Sequence, residues 1–180
     1  MLKRLSTWLN RKSTGWMTLV ALIVFILLMV FVLPGQSSGG ETPDTSLFYT
    51  TADLYRMAEQ YGPDGRAEYI RVRFTFDLSG PRVYAAFRIT SISWLARRVY
   101  PLASVWQLTN LVPLVGMLLD YLENISTALV MARYPAVTTL LAQLAPYFSI
   151  LKWLFVGLSF LIWVGLTFAF LWEWIKRKSK

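Results

Sequence analysis

The chain contains no histidine and no cysteine. On this chain alone, those two absences exclude His-ligated haem or chlorophyll, zinc and iron–sulfur sites, thiol catalysis and every histidine-based triad. They also leave the redox compartment open, because no disulfide habit can be read. Charge is scarce: 16% of the 180 residues are Asp, Glu, Lys or Arg, against about 25% in soluble domains. Apolar residues take the place of charge, at 56% of the chain with a mean hydropathy of +0.47. Such a composition belongs in lipid, and the length allows one domain.

A spanning helix needs about 20 mostly apolar residues. Trp16 to Leu33 is one such run, between a basic N-terminus and the breaker Pro34-Gly35. Trp153 to Trp172 is another, bounded by Lys152 and Glu173 and followed by Lys176, Arg177, Lys178 and Lys180. A third lies between Arg98 and Asp120, where Asn110 and Pro113 are tolerable inside a bundle. The segment from Phe76 to Ala96 is apolar yet carries Asp77, Arg82 and Arg88. It either crosses with its charges turned toward other helices or lies on the surface. Sidedness favours crossing: Lys3, Arg4, Arg11 and Lys12, then Arg97 and Arg98, then the C-terminal basic residues share the cytoplasm only if the spans are even in number. Amphipathic rings agree, with Trp8, Trp16, Trp94, Trp106, Trp172 and Trp174 falling toward the inner face and Trp153, Tyr121 and Tyr147 toward the outer one.

The expected fold class is therefore all-α, a four-helix transmembrane bundle with a small extracytoplasmic helical hairpin or cap. Its parts are a basic cytoplasmic N-terminus (1–14), a first span (15–34), an outer loop with amphipathic helices (35–75), a second span (76–96) and a cytoplasmic turn (97–102). A third span (103–122), an outer interfacial helix (123–146), a fourth span (147–175) and a basic tail (176–180) complete it. GQSSGG after the first run suits a signal peptidase, but the run is longer than a signal core and no A-x-A pattern ends it. Leu2, Leu5, Trp8 and Leu9 share one helical face beside four basic residues, as in a segment lying on an anionic leaflet. Ordinary basic flanks of a first span read the same way.

Outside the bilayer, GQSSGGETPDTS reads as a linker. Thr50 followed by Asp53 is a capping-box pattern, and Leu54, Tyr55, Ala58 and Tyr61 then line one face of a helix that stops at Gly62-Pro63. A second helix starts near Asp64, with Glu68 and Arg71 spaced for an ion pair and Ala67, Ile70 and Phe74 as its apolar stripe, and runs into span two. Pro135 and Pro146 leave a short helix from Ala136 to Ala145 between spans three and four. Asn124-Ile125-Ser126 matches a glycosylation acceptor, a triplet that also arises by chance.

Ionisable residues inside a membrane are candidates for function, each with a partner to be named. Helix rise puts Arg82 about 22 Å above the inner end of span two and Asp120 about 25 Å above the start of span three, so the two are level. Arg88 comes out near the height of Asn110 and Gln107. The expected site is a polar seam between spans two and three: Arg82 paired with Asp120, Arg88 with Asn110 deeper, and Asp77, Glu123 and Asn124 at the outer mouth. Such a seam can hold two helices in register, seat a lipid headgroup, or move protons or ions. No nucleophile stands beside a base, which points away from an enzyme. Gly157, Gly165 and Ala169 share one face of span four as a small-residue packing surface within the bundle.

Pro43-Asp44, Tyr49-Thr50-x-x-Asp53-x-Tyr55, Tyr61-Gly62-Pro63-x-Gly65-Arg66-x-x-Tyr69, then Asp77 and Tyr84, resemble a scattered group of uncharacterised small bacterial four-span integral membrane proteins over residues 43–84. The resemblance implies a bacterial inner membrane location, and the charge sidedness puts both termini in the cytoplasm. It marks Tyr55, Tyr61, Arg66 and Tyr69 as an outer hairpin signature and supplies no activity. The function expected from these features is that of an accessory or structural subunit, docking onto a larger membrane complex through its transmembrane surface and outer hairpin. The alternative is a membrane protein that binds or transports a lipid or small solute through the Arg/Asp seam. No cofactor is expected beyond bound lipid. The partners would be membrane lipids and that complex, and not nucleic acid, since no basic stripe carries stacking aromatics.

Overall fold

The computed structural model describes residues 1–32, 42, 43 and 46–179. The expected linker falls mostly outside these residues. Among the described residues the chain is all-helical: α1 (Leu2–Lys12), α2 (Gly15–Leu27) ending in a π-helical turn (Leu28–Val32), α3 (Thr51–Val99), a 3₁₀ segment (Val105–Leu111) leading into α4 (Val112–Arg133), and α5 (Thr139–Lys178). Three helical stretches are long and apolar enough to cross a membrane: Gly15–Val32, Val105–Arg133 and Thr139–Lys178. α3 is not among them, so the fourth expected crossing is not established by length and composition.

Cross-helix contacts set the topology. α2 runs antiparallel to α3, with Gly15 against Trp94 and the Phe25 and Phe87 rings stacked at 5.2 Å. α3 and α5 run parallel, through Tyr84–Ser159, Phe87–Trp163 and Trp94–Phe170. α4 opposes both, meeting α3 at Ser93–Asn110 and Tyr69–Thr127 and α5 at Asp120–Lys152. The second half of α3 thus lies at the height of α2 and the second half of α5. α2 buries none of its own residues.

Beyond that shared height, α3, α4 and α5 continue into an outer lobe. Thr50 caps α3 through a complete capping box with Asp53, as its sequence spacing requires. Leu54, Met57 and Ala58 then pack on Tyr69, Val130, Met131, Ala142 and Ala145. Gly62, at φ +62°, interrupts α3 in a conformation that side chains with a Cβ rarely adopt. The Arg66 guanidinium reaches back to the Ala58 carbonyl at 2.9 Å across the break. Glu68 and Arg71 form the expected pair at 2.7 Å. Phe74, placed in the apolar stripe by sequence, is exposed, and Tyr69 and Arg73 are buried instead.

The expected short helix at 136–145 is corrected. α4 does not end at the polar residues near 123 but runs to Arg133, and α5 begins at Thr139 and passes through Pro146 without a break. A proline inside a helix leaves the carbonyl four residues earlier without its amide partner. Thr51 donates its hydroxyl to that carbonyl, Ala142, at 3.1 Å. At Pro81 the neighbouring Leu78 carbonyl accepts from Arg82 Nε at 2.6 Å and from the Tyr121 hydroxyl at 2.9 Å. These donors keep both helices continuous in an apolar setting.

At the opposite end α1 packs with its polar side inward. Ser6 and Asn10 are buried, while Leu2, Leu5 and Trp8 are exposed. The sequence-derived apolar face of α1 therefore turns away from the protein.

The Asp53 carboxyl is held at about 2, below its ordinary 3.8, first by the Thr50 side chain and backbone donors and then by Arg56. A depressed pKa stabilises the fold above the unfolded value and ceases to do so as pH falls through the folded one. The outer lobe is therefore expected to lose stability between pH 3.8 and about 2, measured as the melting temperature of detergent-solubilised protein. Asp53→Asn should lower stability at neutral pH and flatten that acid limb.

Candidate functional site

Where α3, α4 and α5 leave their common height, two ion-paired groups lie in the interior, Lys152 with Asp120 and Glu123, and Arg73 with Asp77. Lys152 Nζ lies 2.7 Å from Glu123 Oε2 and 3.3 Å from Asp120 Oδ1. Arg73 Nη1 meets Asp77 Oδ2 at 2.5 Å one helical turn along α3. Glu123 is 1% exposed and Lys152 4%, so these charges are nearly free of water. Their cost is offset only by close pairing and added hydrogen bonds. Tyr49 donates to Glu123 Oε1 at 3.2 Å, Asn124 donates to Asp120 Oδ2 at 3.1 Å, and the Arg73 guanidinium stacks on Tyr69 at 4.5 Å. Tyr69 in turn donates to Thr127 at 3.0 Å. Lys152 with its two carboxylates is formally −1, and the Arg73–Asp77 pair is neutral.

This arrangement revises the seam expected from sequence. In place of an Arg82–Asp120 pair, Asp120 meets Lys152, and Arg82 turns outward onto its own helix. In place of an Arg88–Asn110 pair, Asn110 donates to the Ser6 carbonyl, Asn10 Oδ1 and Ser93 Oγ. Asp77 pairs with Arg73 on its own helix, and Glu123 and Asp120 pair with Lys152, two cations that the expected seam did not include. The sequence reading missed both cations. Arg73 fell within the segment expected outside the bilayer (35–75), and Lys152 at the edge of the apolar run that starts at Trp153. The available signal was spacing: Arg73 with Asp77 and Asp120 with Glu123 each fall on one helical face. Asn124 is 5% exposed and bonded to Asp120, so it is no glycosylation acceptor in this fold.

Arg88 occupies a separate place deeper along α3. It is 8% exposed and lies among the rings of Trp163 (4.9 Å), Phe160 (5.0 Å), Phe87 (5.5 Å) and Tyr84 (6.0 Å). Its Nε and Nη1 have no hydrogen-bond partner among the described residues. Each ring face contributes about 0.5–2 kcal/mol to holding a cation.

The remaining predicted positions are structural or open. Gly157 and Gly165 are exposed, with nothing within 4 Å of an added Cβ, and Ala169 is half-buried. Close approach inside the bundle is made instead at Gly116, where an added Cβ would sit 3.6 Å from Phe155 and Val156. The hairpin residues face inward. Tyr55 accepts from the Thr138 amide at 2.8 Å, Tyr61 packs on Tyr69, and Arg66 stacks on Tyr134 at 4.9 Å. Three or more acidic residues that could hold a metal do not cluster among the described residues.

No family model, curated protein or solved structure matches the chain.

Lys152→Met should cost about 3–5 kcal/mol, because it leaves two buried carboxylates short of a cation. Adding Glu123→Gln should recover part of that loss. Thermal unfolding of the single and double variants in one detergent checks both.

Proposed function

We propose that this chain is an integral membrane protein with four crossings and both termini in the cytoplasm of a bacterial inner membrane. In this reading it serves as an accessory or structural subunit of a larger membrane complex. The fourth crossing is supported by height: α2 rises about 27 Å over its apolar 18 residues, and the part of α3 antiparallel to it matches that rise. Orientation is supported by sidedness. Lys3, Arg4, Arg11, Lys12, Arg97, Arg98 and Arg177 gather at one end, and Asp53, Glu59, Asp64 and Glu68 at the other.

The observation that carries the subunit reading is a stripe on α4. Val115, Leu118, Leu122, Ile125 and Leu129 are all exposed and recur at alternating steps of three and four residues, the seam of a helix that packs against another helix. Lipid accounts for the lower part of the stripe. Ile125 and Leu129 lie past Asp120 and Lys152, above the height at which α2 ends, where apolar surface left bare is costly. The occupant that covers both parts is a transmembrane helix of another chain that projects beyond the bilayer.

Cysteine is absent, so single-cysteine probes are clean. Ile125→Cys in native membranes should cross-link to one partner of discrete mass, and Leu129→Glu should abolish stoichiometric co-purification without changing the melting temperature. A monodisperse single chain in native membranes, or cross-linking only to itself, overturns the reading.

A second reading has Arg88 on its side. A buried guanidinium with unused donors inside an aromatic cage suits a small anionic or carbonyl-bearing ligand arriving from the lipid phase. Arg88→Leu separates the two. The subunit reading expects assembly retained with at most altered stability, whereas the ligand reading expects assembly retained and binding or transport lost.

A further inference from the structure

At the basic end, α3 and α5 finish side by side around a cleft of about 350 Å³ lined by Arg97, Arg98, Phe170, Glu173, Trp174 and Arg177. Three guanidiniums face one carboxylate, and no ion pair joins them to Glu173 among the described residues. Like charges crowded at one place raise the energy of the empty site and favour an anion.

The arginines are held in position by carbonyls and keep most of their donors. Arg97 donates through Nε to the Ser93 carbonyl at 3.3 Å and through Nη2 to the Ser13 carbonyl. Arg98 donates from Nη1 to the Trp94 carbonyl at 3.1 Å, and its guanidinium lies over the Trp94 ring at 3.7 Å. Each guanidinium has five N–H donors, so among the described residues Arg98 keeps four unused and Arg177 keeps all of its own. Lys176 lies over Trp172 at 5.0 Å, and Lys178 over Trp174, a wall of the cleft, at 4.2 Å. The cations that line the cleft itself are arginines, whose planar fork matches phosphate oxygens better than an ammonium does.

We propose that Arg97, Arg98 and Arg177 form a binding site for a phosphate anion, with Phe170 and Trp174 as its apolar wall. Glu173 leaves the site a net positive charge of two, which suits a phosphodiester and leaves a margin of attraction. The height of the cleft fits a lipid headgroup. Trp94 and Phe170 lie at the level of Gly15, where α2 begins, so acyl chains attached to the phosphate would enter the layer spanned by α2. A free phosphate offers the same oxygens without the chains.

The full chain in phosphatidylcholine nanodiscs, with and without phosphatidylglycerol, distinguishes these sources. Native mass spectrometry should show wild type retaining phosphatidylglycerol after release. Occupancy should fall by more than about tenfold in Arg98→Gln/Arg177→Gln, since each lost charge-assisted contact is worth about that factor. Lys3→Gln/Arg4→Gln, which removes equal charge from α1, should retain the lipid as wild type does. Arg177→Gln alone, on the exposed last turn of α5, should lower occupancy without disturbing the fold. In phosphatidylcholine alone, inorganic phosphate that raises the melting temperature of wild type but not of the variant assigns the site to soluble phosphate. Equal lipid retention in wild type and both arginine variants, with no phosphate effect, overturns the proposal.

Discussion

The contact on which the packing of α3, α4 and α5 depends is the Lys152 ammonium seated between Asp120 and Glu123. It joins α4 to α5 at the point where both leave the height of α2. Tyr49 extends it to the chain entering α3, and Asn124 steadies the second carboxylate. In low dielectric a pair of this kind contributes little net stability over an apolar replacement, but its rupture is expensive. Its effect is selective: it tolerates one rotation of α5 about its axis and one axial offset of α4. The outer lobe, with Leu54, Met57 and Ala58 packed under Tyr69, is placed by that choice.

Much of the fold was legible in local signals. The capping box at Thr50, the stop at Gly62-Pro63, the Glu68–Arg71 pair and the continuation of the second outer helix into the next apolar stretch each rest on interactions within a few residues. The site was legible in part, and the reason lies in helix geometry. Rise per residue placed Asp120, Glu123 and Asn124 within about one turn of each other on α4. Rotation about the helix axis is not fixed by height, and it decided that Asp120 faces Lys152 rather than Arg82, and that Asn110 faces α1 rather than Arg88. Likewise a polar patch near 123 was taken to end a span, whereas α4 continues because those polar groups are satisfied by neighbouring helices rather than by water.

The prolines show the same dependence on distant partners. Pro146 reads as a break in a one-dimensional pattern, and Gly80-Pro81 as a kink within a span. In three dimensions Thr51 attends the carbonyl freed by Pro146, and Tyr121 with Arg82 attends a carbonyl beside Pro81. The opposite end of the molecule uses neutral groups for a similar purpose. Ser6, Asn10, Gln107, Asn110 and Ser93 form a buried amide and hydroxyl network that fixes α1 against the start of α4. The molecule is thus closed by ions at one end and by amides at the other, with Arg88 in its aromatic cage between them.

From Pro63 to Val99, α3 has no interruption in its helical backbone. That stretch is a stiff lever about 55 Å long, one end embedded in the outer lobe and the other carrying Arg97 and Arg98. A tilt of about 5° around the ion cluster, shared between the two arms, separates the tips from their resting positions by about 5 Å in total. A tilt imposed on the lobe thereby reaches Arg97 and Arg98 at the far tip as a displacement of about 3 Å, roughly half a helical turn.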